Sequence, residues 1–325
     1  MKDVELKMLE RAKALLESGE VARVIGWKKG DFCYDPSPAS FETTEELNDF
    51  VYNWFCGANL SKYLIEMSKK EGKTAVFLKP CDTYSFNQLV KEHRIKRENI
   101  YVIAVECLAK LDIEKIKAKG VSMVTGVEVI GKEVKVTTAY GEETLKKPEV
   151  LLTKCETCQK THQVKDEEII LHERPERDVD RFAEVAKLEA MTADERFAFW
   201  REQLSKCIRC NACRNVCPAC SCVKCVFDNP ASGIAAKAND DKFEEQLFHI
   251  IRAFHVAGRC TDCGECSRVC PQNIPLHLLN RKFIKDIDGL YGEYQAGETT
   301  DGKTPLTSYT EADAEPNDVM KGEAK

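Results

Sequence analysis

Cys207-Ile-Arg-Cys210-Asn-Ala-Cys213-Arg-Asn-Val-Cys217-Pro218 and Cys260-Thr-Asp-Cys263-Gly-Glu-Cys266-Ser-Arg-Val-Cys270-Pro271 are the stretches that decide what this chain can be. Both follow one template. Two-residue spacings let three thiolates of one short loop converge on three irons of a cubane, and the fourth cysteine, before proline, ligates the other cluster when two clusters share a domain. Proline suits that place because it turns the chain away and removes a backbone donor. The spacing assigns Cys207, Cys210, Cys213 and Cys270 to one 4Fe-4S cluster, and Cys260, Cys263, Cys266 and Cys217 to a second. Zinc is the competing occupant, since a Cys-x-x-Cys pair alone commonly binds zinc. A complete run ending in proline, present twice, favours iron and sulfide.

The 42 residues between Cys217 and Cys260 are long for a compact β-containing ferredoxin. Within them Phe243, Leu247, Ile250, Ile251, Phe254 and Val256 recur at helical spacing, which predicts a helical dicluster domain with helices bracketing two ligand loops. Upstream, Thr192 with Glu195 has the capping-box spacing before Phe197, Phe199, Trp200 and Leu204. Cys220, Cys222 and Cys225 follow the first run and the template leaves them unassigned: a further metal site, a substitute for Cys217 as cross-ligand, or buried small hydrophobes. Arg209, Arg214, Arg259 and Arg268 flank the loops, where cations offset the negative charge of a thiolate-ligated cluster.

Working outward, the 325 residues fit two domains. Eleven of the 17 cysteines lie between Cys207 and Cys270. An odd cysteine count and a charged, amphipathic amino terminus argue against a secreted disulfide framework and predict a cytoplasmic protein. Lys+Arg 48 against Asp+Glu 54, a net charge of −6, argues against a nucleic-acid partner. No apolar run approaches a membrane span.

The amino-terminal portion reads as α/β. A helix is expected over 3–18, a second from Leu47 through Phe55 behind Thr43 and Glu46, and a third over 60–70. Thr74–Leu78 and Ile100–Val105 are expected as a parallel strand pair about a helix over 83–93. A hairpin over 121–140 and a short strand over 150–153 follow. The fold class expected is α+β: an α/β domain over 1–165, a charged linker over 166–180, an α-helical dicluster ferredoxin-like domain over 181–288, and an extended tail over 289–325. In the tail, Pro305–Tyr309 is a candidate docking segment.

Cys81 and Cys107 sit just past the ends of the two parallel strands, the rim where open α/β sheets bind ligands, and Cys155 and Cys158 can reach that rim. Four thiolates there make a third site, for a 4Fe-4S cluster or zinc. Cys33 and Cys56 have no such context and read as packing residues. There is no GxGxxG, P-loop or Ser-centred nucleophile elbow, and the six histidines are scattered, so no catalytic residue is assigned.

At Pro80-Cys81-Asp82, Glu106-Cys107 and Lys154-Cys155-Glu-Thr-Cys158, the amino-terminal half resembles the coenzyme F-420 hydrogenase/dehydrogenase beta-subunit family. The CIRCNACRNVCPACSC and CTDCGECSRVCP segments are similar to the helical dicluster domain found in the iron–sulfur subunits of anaerobic sulfite reductase and of heterodisulfide reductase. The resemblance implies an electron-transfer subunit of anaerobes, assembled with hydrogenase, formate dehydrogenase or heterodisulfide-reductase-like modules. The resulting expectation is a non-catalytic iron–sulfur subunit relaying single electrons through two or three clusters. The alternative is a flavin-containing subunit coupling a hydride donor or deazaflavin to them. No glycine-rich segment suited to flavin is present, so flavin is not expected.

Overall fold

The computed structural model describes residues 1–159, 166–170, 179–229 and 242–306. Helix α1 (Lys2–Glu17) buries Val4, Met8, Ala12 and Leu15, while Leu6 is exposed. It lies on a sheet built from β1 (Arg23–Lys28), β2 (Ser37–Phe41), β3 (Thr74–Leu78), β4 (Ile100–Val105) and β8 (Glu168–Ile170) in the order β2-β1-β3-β4-β8. β1, β3, β4 and β8 run parallel, and β2 closes one edge antiparallel. Every residue of β3 is buried, as expected of a strand covered on both faces. Short α2 (Leu64–Met67) precedes β3, and α3 (Pro80–Lys91) makes the crossover to β4.

Two expectations fail here for physical reasons. The helix over 47–55 is a single 3-10 turn, Glu46–Asp49, after which the chain is extended. Val51 N–H donates to the Trp27 carbonyl at 2.9 Å, and Phe50 bridges Lys28, so these apolar residues extend the sheet edge instead of coiling. The Phe50 ring lies over Gly26, where a Cβ would come within 2.6 Å of it; glycine there also hides β1 from a search for apolar runs. The strand over 150–153 is likewise a 3-10 turn, Lys147–Val150, running into α5 (Thr153–Glu156). Only the Leu111 to Leu151 bridge remains of it.

Helix α4 (Ile113–Ala118) and a second sheet, β5 (Val124–Ile130), β6 (Glu133–Thr138) and β7 (Gly141–Lys146), complete this half. The hairpin is as expected, with β7 as an additional antiparallel strand. β8 falls within the stretch expected as a linker and pairs with β4, where Arg11 grips Glu168.

The carboxyl half is helical: α6 (Ala183–Glu189), α7 (Ala193–Leu204), α8 (Ala212–Val216), α9 (Lys242–Val256), α10 (Glu265–Arg268) and α11 (Leu276–Tyr291). Thr192 and Glu195 form the expected capping box on α7. α9 is turned opposite to its apolar stripe. Its buried face carries Glu245, Phe248, His249, Arg252, Ala253 and Val256, while Phe243, Ile250 and Phe254 are exposed. Residues 292–306 fold back on the chain, with Gly297 against the Tyr84 carbonyl and Gly258 against that of Pro305. Residues 307–309 of the expected docking segment lie outside the described residues. No described helix is long and apolar enough to cross a membrane.

Candidate metal centres

The two cysteine runs fold alike. In each, the third and fifth residues take left-handed backbone: Arg209 (φ 51°) and Asn211 (φ 61°) in the first, Asp262 (φ 56°) and Gly264 (φ 68°) in the second. In each, the next residue begins a short helix, α8 or α10. These paired inversions curl each loop so that backbone amides turn inward; Arg209 N–H points at Cys207 Sγ at 3.3 Å.

Cys207, Cys210, Cys213 and Cys270 line one pocket, closed by Phe248 and His249 of α9. Burial pushes the Cys207 thiol up to about 12. Cys217 lies among Cys260, Cys263 and Cys266, close enough that its charge raises all three thiols beyond what burial does. The fold thus brings Cys270 to the first run's thiols and Cys217 to those of the second. Cys220 sits beside Cys217, its thiol donating to that sulfur and holding Cys217 toward the thiolate. Cys220, Cys222 and Cys225 share an open pocket with Arg214 and Arg259, and Cys222 is exposed. Among the described residues they do not draw together within ligand distance of one another as Cys207, Glu245 and His249 do.

Arg252 of α9 lies between the two sites. Burial disfavours its charge, but Cys217, Cys266, Cys220 and Cys213 around it hold the guanidinium protonated. It donates to the Cys213 carbonyl at 3.1 Å, and among the described residues its Nε has no partner. Arg209 is bound through Nε to both Glu245 oxygens at 2.9 and 2.8 Å.

The amino-terminal cysteines also converge. Cys81 on the first turn of α3, Cys107 past β4, Cys155 in α5 and Cys158 just after it line one pocket at the carboxyl rim of the parallel strands. Burial, then the neighbouring Cys107, pushes Cys155 up to about 12, and burial raises Cys81 well above the ordinary thiol range. Three buried amines surround them. Lys79 Nζ pairs with Asp82 at 2.7 Å, Lys110 Nζ donates to the Asn53 carbonyl at 2.8 Å, and Lys154 Nζ donates to the Gly57 carbonyl at 2.6 Å and pairs with Glu265. Thiols with cations around them suit a group that is negative when bound, because four thiolates outweigh the charge of zinc or of a cubane core. Cys263 and Asp262 of the second run form part of this same pocket.

The halves are locked together at that point. Glu265, fully buried, accepts from Lys154, from Arg268 at 2.8 Å and from Asn59 N–H at 3.1 Å. Burial would raise its carboxyl, but Lys154 and Arg268 hold it far below the usual carboxylate range. A Cβ at Gly264 would sit 2.3 Å from Lys154 Cβ, so only glycine allows this approach. Glu92 adds a pair with Arg259 at 2.6 Å, and Ser85 meets Thr261 at 2.9 Å.

Sequence reasoning missed Lys79, Lys110, Lys154, Glu265, His249 and Arg252. A signal existed for some: Lys79 and Lys154 closely precede the rim cysteines, and Glu245, His249 and Arg252 mark a polar stripe at helical spacing. Cys56 is buried, and burial raises its thiol; Cys33 is half-buried, its carbonyl accepting from Asn53 at 2.8 Å.

Residues 203–274 match the 4Fe-4S dicluster domain family. The chain is homologous to the F420-dependent formate dehydrogenase subunit beta of Methanocaldococcus jannaschii, with 24% identity over 86% of this chain and 88% of that protein. The F420-dependent formate dehydrogenase 1 subunit beta of Methanococcus maripaludis is 26% identical over 66% of this chain and 72% of that protein. A chain of the F420-reducing NiFe hydrogenase complex from Methanosarcina barkeri is similar over 48% of this chain and 62% of that chain at 15% identity, with a TM-score of 0.36.

Proposed function

We propose that this chain is an iron–sulfur electron-transfer subunit of an anaerobic oxidoreductase complex, with three 4Fe-4S sites. The first is held by Cys207, Cys210, Cys213 and Cys270, the second by Cys260, Cys263, Cys266 and Cys217, and the third by Cys81, Cys107, Cys155 and Cys158. A cubane in such a site takes up and gives back one electron at a time, and the protein contributes position and environment. The observation that carries the proposal is contiguity. Cys263 borders the amino-terminal pocket while serving the second site, and Cys266 and Cys213 both face Arg252 between the second site and the first. The three cysteine sets are therefore contiguous, with the second run bordering both of the others.

The chain's own residues prepare these sites in three ways. Left-handed turns hold the thiols of each loop convergent, Lys79, Lys110, Lys154 and Arg252 supply positive charge where thiolates gather, and Glu265 with Lys154 fixes the amino-terminal pocket against the second run. The homologues are named as beta subunits of formate dehydrogenases, which supports partners of that kind, with hydrogenase or heterodisulfide-reductase-like modules as further candidates. We place the complex in the cytoplasm, the reducing compartment in which free thiols persist.

The same homologues carry F420 in their names, and this favours a second reading in which the amino-terminal half itself meets a flavin or deazaflavin. One measurement separates the two: iron, acid-labile sulfide, zinc and flavin per chain after anaerobic purification. About twelve irons without flavin is the expected result, at four irons per cluster. About eight irons with one zinc removes the third cluster, and stoichiometric flavin replaces the first reading by the second.

A further inference from the structure

Each cysteine run keeps one buried histidine beside it, and the two differ in what satisfies them. His277, beside the second run, has its Nδ1 at 2.8 Å from Ser267 Oγ, which also accepts the His277 backbone N–H at 3.0 Å. This is an ordinary structural histidine. His249, beside the first run, is 2% exposed and, among the described residues, has no hydrogen-bond partner on either ring nitrogen. A buried polar group left unpaired costs about 1–3 kcal/mol, which makes a doubly orphaned imidazole a rare feature calling for a reason.

Its surroundings narrow the reason. The ring lines the pocket of Cys207, Cys210, Cys213 and Cys270, and a ring nitrogen lies within 4.8 Å of Cys207 Sγ and a Glu245 oxygen. Glu245 is engaged by Arg209 through both oxygens. Arg209 and Arg252, the cations facing the ring, are donors only and accept nothing from an imidazole N–H. A neutral imidazole has one N–H to give. Among the described residues two acceptors lie on that side, the Glu245 carboxylate, already held by the Arg209 guanidinium, and the Cys207 sulfur.

We propose that His249 is a positioning residue for the first cluster, donating its ring N–H to a sulfur at the Cys207 corner and raising that cluster's reduction potential relative to the second. This rests on the assignment of the first site made above. The reduced state of a thiolate-ligated cluster is the more negative one, so a fixed donor stabilises it more than the oxidised state. A hydrogen bond to a charged group contributes about 1.5–3 kcal/mol, so a difference between redox states near the bottom of that range is about tenfold in the reduction equilibrium.

The test uses the full chain, purified anaerobically with its clusters, in three forms: unaltered, His249→Leu and His249→Gln. Iron is counted, and midpoint potentials are read by paramagnetic resonance, with Cys210→Ser identifying the first cluster's signal by its loss. The expected result is unchanged iron in His249→Leu, a tenfold weaker reduction of the first cluster (about 59 mV for one electron), an unmoved second cluster, and recovery of most of the shift in His249→Gln. Nitrogen-15 labelled histidine in the unaltered protein gives an independent readout, a weak coupling at the first cluster's signal. An unmoved potential or an absent coupling overturns the proposal. Loss of about four irons in both variants also overturns it, making the imidazole a ligand while leaving the electron-transfer assignment intact. An unaltered protein with no 4Fe-4S signal would defeat that assignment itself.

Discussion

The two cysteine runs share a template, a backbone and a proline, yet the protein uses their surfaces in opposite ways. Fifty-three positions apart, Ile208 and Thr261 occupy the same place in the loop, one 62% exposed and the other 4%. Asn211 and Gly264 take the same left-handed turn, and Lys154 presses so closely on Gly264 that no Cβ fits there. Cys210 is exposed, whereas Cys263 forms part of the amino-terminal pocket. A duplicated ligand loop therefore fixes what is bound, and its non-cysteine positions fix where the site stands in the molecule. The second run, bordering both other cysteine sets, is the centre, and the first, with Ile208 and Cys210 exposed, is an edge.

The largest expected effect separates centre from edge directly. Cys263→Ser and Cys210→Ser are each expected to remove about four irons per chain. Cys263→Ser also breaks the contiguity, so reduction of the first cluster from a donor at the amino-terminal half should stop. Cys210→Ser should leave exchange between the other two sites intact. Rapid-freeze resonance spectra of both variants check this, and equal loss in the two would make the centre and edge roles interchangeable.

Next in size is the lock. Glu265→Leu leaves buried Lys154, and the partly exposed Arg268 beside it, without their shared carboxylate, and breaking one side of a buried ion pair costs about 3–5 kcal/mol. Chemical unfolding under anaerobic conditions should register that loss. Adding Lys154→Met to Glu265→Leu should recover part of it, because the stranded ammonium is then gone. If the double variant is no better than the single, the Lys154–Glu265 contact is not what joins the halves.

A pH dependence distinguishes the second run's histidine. Burial, with Arg281 adding to it, pushes His277 down to about 4, while the unfolded chain takes up that proton near 6.5. Between those values the unfolded state binds more protons, so stability is full above about pH 6.5 and falls toward pH 4, by about 1.4 kcal/mol per pH unit for this one group. His277→Gln should flatten that part of the profile in urea unfolding measured across the window. An unchanged slope would mean that His277 is already charged in the folded protein.

How much of this could be read beforehand depended on whether a residue's role is local. The gathering of Cys270 with the first run and of Cys217 with the second was legible because the spacing of such loops follows cluster geometry, and the β3-α3-β4 unit was legible because Thr74–Leu78 and Ile100–Val105 are apolar on both faces. β1 was hidden by Gly26, whose purpose, room for the Phe50 ring, lies 24 positions away. The expected helix through Phe55 failed for the same reason, since amphipathic spacing does not reveal that a strand edge is waiting for Val51. The face of α9 was misjudged because burial normally follows apolarity. Here thiol pockets reward Glu245, His249 and Arg252 on the inner side, leaving Phe243 and Ile250 outside.

The smallest effect is the sharpest test of the comparison, because it alters the loop without touching a ligand. Thr261→Val keeps the shape and removes the hydroxyl that meets Ser85. Ser85 retains the Asn59 side-chain amide as a donor at 3.0 Å, so no buried group is orphaned and the cost should be about 1 kcal/mol. Ile208→Thr, at the matching position of the first run, should stay within about 0.5 kcal/mol, as exposed substitutions do. Iron content should be unchanged in both, since neither side chain reaches a ligand sulfur through its lost group. If Ile208→Thr costs as much as Thr261→Val in the isolated chain, the first run is not an open edge. If it costs nothing there but weakens assembly with a partner subunit, the 62% of Ile208 that solvent touches is surface kept for that partner.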